Sequence, residues 1–228
     1  MLAQRVFASF LCLFATPSFA GELFPYTDYV VEVNGTVDGK PLEFYANEWW
    51  RWAYSMKQTE SPVHDTDGSF CDVNQEGPVW YLGGAFGDTY IKRKCDIPAG
   101  KHLFFPIINL VVATYPDEEQ TCQAAKVKAT AAAQGFQFIR AFINGTKVDY
   151  PERYRVGSKE CFNLFGRVPA KFQAPSMEPS ATDGYWLMLK PLPSGSHTIQ
   201  FSGLHIFEPY NEKSMVQNVY YELNVQPE

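Results

Sequence analysis

Three periodicities divide the chain. Over residues 41–57 the apolar positions recur at about 100° per residue. Leu42, Tyr45, Ala46, Trp49, Trp52, Ala53 and Met56 form one stripe centred near Trp49, which predicts a helix laid on a core. Trp50 falls at the edge of that stripe, and Phe44 and Tyr54 point further away. Over residues 196–207, His197, Ile199, Phe201 and Gly203 alternate with Thr198, Gln200 and Ser202, the two-residue period of a strand with one buried face. Residues 101–109 are apolar almost without a break, which predicts a strand buried on both faces.

The remaining pattern is mostly short strands between turn signals. Residues 28–37 read as an opening strand, broken by Asp38-Gly39-Lys40-Pro41. Residues 58–74 are a polar loop. Residues 78–82 and 89–95 read as strands, the first ending at Gly83-Gly84 and the second followed by a Pro98-Ala99-Gly100 turn. An Ala-rich helix is predicted over residues 117–134, with acidic residues in its first turn and Gly135 at its end. Residues 136–143 and 146–150 flank Asn144-Gly145, whose two residues suit the positive φ angles of a tight hairpin turn. Residues 153–174 are irregular, and residues 185–191 and 218–225 complete the strands. With no internal repeat and no second domain, the reading is mostly β. It is a jelly-roll-like, single-domain β-sandwich over residues 21–228, with two accessory α-helices on its edge or face.

Residues 1–20 read as a secretory signal: Arg5, a short apolar run, Pro17, then Ser18-Phe19-Ala20 with cleavage expected after Ala20. Cleavage removes one basic and no acidic residue, so the net charge of −6 becomes about −7. An acidic domain of this kind is a poor match for nucleic acid or anionic lipid, and no later segment is apolar for long enough to predict stable membrane insertion. Of five cysteines, Cys12 leaves with the signal. The other four allow three disulfide pairings, and nearest-neighbour stapling favours Cys71–Cys95 with Cys122–Cys161. Their spacing does not suit zinc. The expected location is periplasmic or secreted.

Several segments resemble an uncharacterised family of exported, mostly bacterial proteins. They are Gly77-Pro-Val-Trp-Tyr-Leu-Gly-Gly-Ala-Phe-Gly87, Cys95, Ile97-Pro-Ala-Gly-Lys101 and Phe104-Phe-Pro-Ile-Ile-Asn109. Members look like GPVWFLAGTFGG, then a cysteine, VPAGK and FFPxxN. The Trp-rich helix at residues 48–53, Asp183-Gly-Tyr-Trp-Leu-Met-Leu189 and residues 194–201 fit the same pattern. Here Leu82-Gly-Gly-Ala85 replaces the usual Leu-Ala-Gly-Thr. The resemblance implies export and a shared domain, and it carries no catalytic residue.

Candidate chemistry is sparse. Asp65 and Asp67 before Gly68, with Glu76 at the twelfth position from Asp65, have the opening and closing letters of a calcium loop, although Phe70 and Cys71 occupy places where further ligands belong. A plain turn of Asx residues explains the same letters. His197 and His205 are eight residues apart, roughly 26 Å of strand, too far to share a metal. His102 with Asp96 is a conceivable general base. Glu43, Glu48, Asp88 and Asp183 are the carboxylates a glycosidase would draw on. No G-x-S-x-G and no phosphate loop is present. The rings give a different expectation: in the adjacent pairs Trp80/Tyr81 and Tyr185/Trp186 one ring should face outward, and with Trp50 and Tyr54 these form a pool for stacking on sugars. The leading expectation is therefore a non-catalytic binding module for carbohydrate or cell-envelope material, with no cofactor beyond a possible calcium ion. A hydrolase of envelope or extracellular polymer and a structural or assembly partner are the alternatives.

Overall fold

The computed structural model describes residues 24–85, 90–206 and 215–228. The expected signal segment, Asp88 and Phe207 lie outside the described residues. The elements in chain order are β1 (Thr36–Val37), β2 (Lys40–Pro41), α1 (Leu42–Ala53), β3 (Val79–Tyr81), β4 (Ile91–Ile97), β5 (His102–Val112), α2 (Cys122–Ala132), β6 (Phe136–Ile143), β7 (Thr146–Lys147), β8 (Arg155–Gly157), β9 (Ala181–Leu189), β10 (Gly195–His205) and β11 (Met215–Val225).

Two sheets form the sandwich, a five-stranded one in the order β4-β11-β10-β6-β7 and a four-stranded one in the order β3-β5-β9-β8. Most neighbours are antiparallel, but β4 with β11 and β3 with β5 run parallel. Between the sheets, Leu103, Phe105 and Leu187 meet Ile199, Phe201, Val219 and Tyr221, with Phe105 and Phe201 stacked at 5.1 Å. The opposite face of the four-stranded sheet is covered as well. There α1 packs Leu42, Tyr45, Trp49 and Trp52 onto Phe104, Trp186 and Met188. Helix α2 lies on the other side of this sheet, packing Ala125 and Ala129 against Ala181 of β9, which shares its face with Leu187 and Leu189. The four-stranded sheet is thus the middle of three layers, which is why β5 is apolar on both sides.

A bulge in β5 has a consequence for the site. The β5–β9 register shifts between Pro106 and Ile108, where a strand tolerates proline. Ile107 and Ile108 both join the core between the sheets. Every later residue therefore exchanges faces, and Asn109 and Val111 fall on the α1 side.

Some expected elements are placed differently. Residues 28–37 are mostly not strand: the chain makes a turn with Gly35 N–H donating to the Glu32 carbonyl, and only Val30 bridges to Leu189 before β1. Asp38 and Gly39, at φ 48° and 69°, then fold β1 back on β2. Asp117, Glu118 and Glu119 precede α2 instead of opening it, and the Thr121 side chain caps it by accepting from Ala124 N–H. The strand after Asn144-Gly145 stops at Lys147, ahead of Tyr150 in a left-handed conformation. β8 lies within the stretch expected to be irregular.

Both nearest-neighbour disulfides are formed, each with Cα atoms 5.8 Å apart. Cys122–Cys161 ties the start of α2 to the segment after β8, and Cys71–Cys95 ties the long polar loop to β4. Gly68 makes that loop's closest approach. Its φ is +101°, and an added Cβ would lie 2.1 Å from the Lys94 carbonyl oxygen. Gly68→Ala should therefore cost about 2–4 kcal/mol in urea unfolding, against about 1 kcal/mol for Gly39→Ala, where φ is positive but the space is open. Equal costs would show that the loop does not rest on β4.

Candidate functional site

Four of the six rings expected to serve a ligand lie on the middle layer. Trp80 and Tyr81 alternate as strand geometry requires, but Trp80 enters the core between the sheets and Tyr81 the core beneath α1, so neither faces outward. Trp186 is fully buried and stacked on Phe104 at 5.2 Å. Tyr185 is half-buried against Phe136. The expectation of an outward ring at residues 80 and 81 is corrected by the helix layer that covers the second face. Trp50 and Tyr54 do come together, their ring centroids 6.0 Å apart, and both line a cleft under the C-terminal part of α1.

A ring that does reach the surface is Tyr220. β11 belongs to the five-stranded sheet, whose outer face neither α1 nor α2 covers. There Tyr221 points inward and Tyr220 outward. The register sets Tyr220 beside Gln200 and Lys92, and Glu222 beside Thr198 and Lys94. An open groove of about 720 Å³ runs over these strands. It presents Tyr220 with Asp96, Ser196, Thr198, Glu222 and Asn224. Lys92 Nζ lies 5.5 Å from the Tyr220 ring centre. Glu222 is ion-paired to Lys92 at 2.5 Å and to Lys94 at 3.4 Å. The hydrogen bond from Lys92 holds the Glu222 carboxyl below its ordinary pKa and lifts that of Lys92. Asn224 and Gln226 both donate to Asp96 Oδ1. At one end, Asn144 accepts from Thr198 N–H, and its amide nitrogen lies 2.9 Å from Nδ1 of His197. The rule that one of two adjacent strand rings points outward finds Tyr220 when applied to Tyr220-Tyr221.

The acidic loop is built around its own backbone. Asp65 Oδ1 accepts from the Asp67 and Gly68 N–H groups and Oδ2 from Phe70 N–H. Asp67 accepts from the Ser69 amide and hydroxyl, which lowers its pKa. Glu76 pairs with Arg167 at 2.9 Å. Among the described residues no group of three acidic, histidine or cysteine side chains could hold a metal ion, so Asp65, Asp67 and Glu76 are not gathered into a calcium site.

Beneath the loop lies Arg93, 0% exposed. Its guanidinium donates to the carbonyls of Asp65, Gly83 and Gly84 at 2.8 Å, to that of Val63 at 3.4 Å, and to the Tyr221 hydroxyl at 2.8 Å. Gly83 and Gly84 are places of close approach: an added Cβ would lie 2.6 Å from the Pro62 carbonyl and 2.4 Å from Gln217 Oε1 respectively.

Three of the four carboxylates named for a hydrolase are engaged, and the fourth, Asp88, lies outside the described residues. Glu43 pairs with Lys159, Glu48 with Arg51, and the buried Asp183 accepts from Arg155 through both oxygens at 2.9 and 3.1 Å. Asp96 is bound by Asn224 and Gln226, and no hydrogen bond joins it to His102. His64, His102 and His205 are all held below the ordinary histidine value of 6.5, each chiefly by burial.

Fold and surface together define a disulfide-stapled, three-layer β-sandwich with one sheet face open to solvent. Set against protein-family models, curated proteins and solved structures, the chain matches none.

Two outcomes are expected. Truncating Arg93 to Ala removes the donor to the Asp65, Val63 and Gly84 carbonyls and to the Tyr221 hydroxyl, while the Gly83 carbonyl keeps the Tyr221 O–H. This should destabilise the protein by at least about 3 kcal/mol in guanidinium unfolding, with Tyr221→Phe costing about 1–2 kcal/mol. The depressed histidines set a pH dependence. As pH falls through 6.5 the unfolded chain takes up protons before the folded one, so stability should be level above 7 and fall between pH 6.5 and 5. That window lies above the ordinary carboxylate range. A melting temperature that holds or rises from pH 7.5 to 5 contradicts it.

Proposed function

We propose that the protein is a non-catalytic, exported binding module for carbohydrate or cell-envelope material, and that the outer face of the five-stranded sheet is its binding surface. The observation that carries this reading is Tyr220, an aromatic ring set among carboxylate, amide and hydroxyl side chains on an open sheet face. A flat ring stacks on the C–H face of a sugar, while neighbouring amides and carboxylates meet its hydroxyls. An open groove suits a polymer chain better than a compact substrate.

The disulfides point to an oxidising, extracytoplasmic compartment, and no described helix is long and apolar enough to cross a membrane. The apolar start of the chain and the resemblance at residues 77–109 to exported proteins agree with a secreted or periplasmic location. The engaged carboxylates favour binding over polymer hydrolysis. Assembly through a sheet edge is less well supported. β3, β7 and β8 are only 3, 2 and 3 residues long. The β4 edge is partly occupied, with Lys94 N–H donating to the Asp67 carbonyl.

Retention on immobilised envelope polysaccharides tests the reading. Tyr220→Ala should weaken it about tenfold, the scale of one lost ring contact. Its unfolding free energy should stay within about 0.5 kcal/mol of wild type, as for a surface substitution. Unchanged retention by a folded Tyr220→Ala protein removes the outer face as the site.

A further inference from the structure

The cleft under α1 has a chemistry of its own. It encloses about 280 Å³ and shares no described lining residue with the groove around Tyr220. Trp49 and Trp50 form one wall, while the half-buried Tyr54, Leu110, Val111 and Met215 surround it. Both indole donors are already used. Trp49 Nε1 donates to the Leu82 carbonyl at 2.9 Å and Trp50 Nε1 to Thr182 Oγ1 at 2.7 Å. Gln217 is fully engaged too. Its amide nitrogen donates to the Pro106 and Ile107 carbonyls, and its oxygen accepts from Ala85 N–H. The walls therefore offer ring and aliphatic surface.

Asn109 is the exception. It lines the cleft at 7% exposure, and its amide nitrogen is buried with no hydrogen-bond partner. The β5 bulge brings it to this side. A buried amide donor without an acceptor is uncommon and unfavourable, and it marks where an acceptor on a bound molecule would be welcomed. Among the described residues no carboxylate, lysine or arginine lines the cleft. Burial disfavours the charged form of His205, which also lines it.

We propose that this cleft is a second binding site, taking a small, uncharged, mostly apolar molecule that presents one carbonyl or ether oxygen to the Asn109 amide. A sugar fits this lining poorly: its several hydroxyls would be buried against walls that hold one uncommitted buried donor. An apolar body with a single acceptor matches the ring and aliphatic walls and meets the buried Asn109 donor.

The test uses 1-indanone and indane, which differ by one carbonyl oxygen. Binding is followed by tryptophan fluorescence and by the Asn109 side-chain amide resonances in the wild-type protein. 1-Indanone should bind about tenfold more tightly than indane and shift the Asn109 resonances, the scale of one recovered hydrogen bond to a buried donor. Asn109→Leu should bring the two probes within about threefold of each other, and Tyr220→Ala should leave both unchanged. Equal affinities in the wild-type protein, or Asn109 resonances that do not move up to the solubility limit of 1-indanone, would overturn the proposal. Either result is read on the wild-type protein, so it stands even where Asn109→Leu does not fold.

Discussion

Arg93 lies in the interior with no carboxylate in ion-pair contact among the described residues, compensated only by four carbonyls, the Tyr221 hydroxyl and the Tyr221 ring. A guanidinium taken out of water is tolerable only when nearly all its donors are met. Three separate pieces of chain are held to meet them: the loop through Val63 and Asp65, the Gly83-Gly84 turn, and β11. Glycine at 83 and 84 lets the backbone come close enough to Pro62 and Gln217 to complete the cage. The Cys71–Cys95 disulfide closes the same region two residues from Arg93.

This buried cation also governs what the surface displays. β4 pairs with β11 so that Arg93 is opposite Tyr221, which places Lys92 beside Tyr220 and Lys94 beside Glu222 on the other face. A slip of one residue would turn Arg93 toward solvent and bury two lysines, so the register is strongly held. The polar lattice around Tyr220 is the outward image of the inward network. On the far side of the four-stranded sheet, α1 closes the second core and leaves the cleft at Asn109 beneath its C-terminal end.

Much of the fold is legible in the chain because the relevant periods are local. The α1 stripe, the alternation of β10 and the unbroken apolar run of β5 each state their burial directly. The layer order does not show in the same way. Trp80-Tyr81 has one spelling whether the second face meets water or a helix, and α1 covers it only after a crossover the strand does not encode. Tyr220-Tyr221 carries the same signal on a sheet with a free face. Asn109 illustrates a further limit. Pro106 marks an irregularity in an apolar strand, but the side on which the extra residue is absorbed depends on β9, and that decides whether an asparagine enters the core or the cleft. The Asx-rich loop has the letters of an ion site, yet its carboxylates are spent on the loop's own amides.

In the proposed function, the free face of the five-stranded sheet is where this protein meets its ligand. A backbone NMR titration with soluble envelope oligosaccharides maps that surface residue by residue. Shifts should concentrate at the outward positions of β4, β10 and β11, centred on Tyr220 and its neighbours Lys92, Thr198 and Glu222. Shifts gathered around Asn109 and Trp50, or no shift with any oligosaccharide, would contradict this reading.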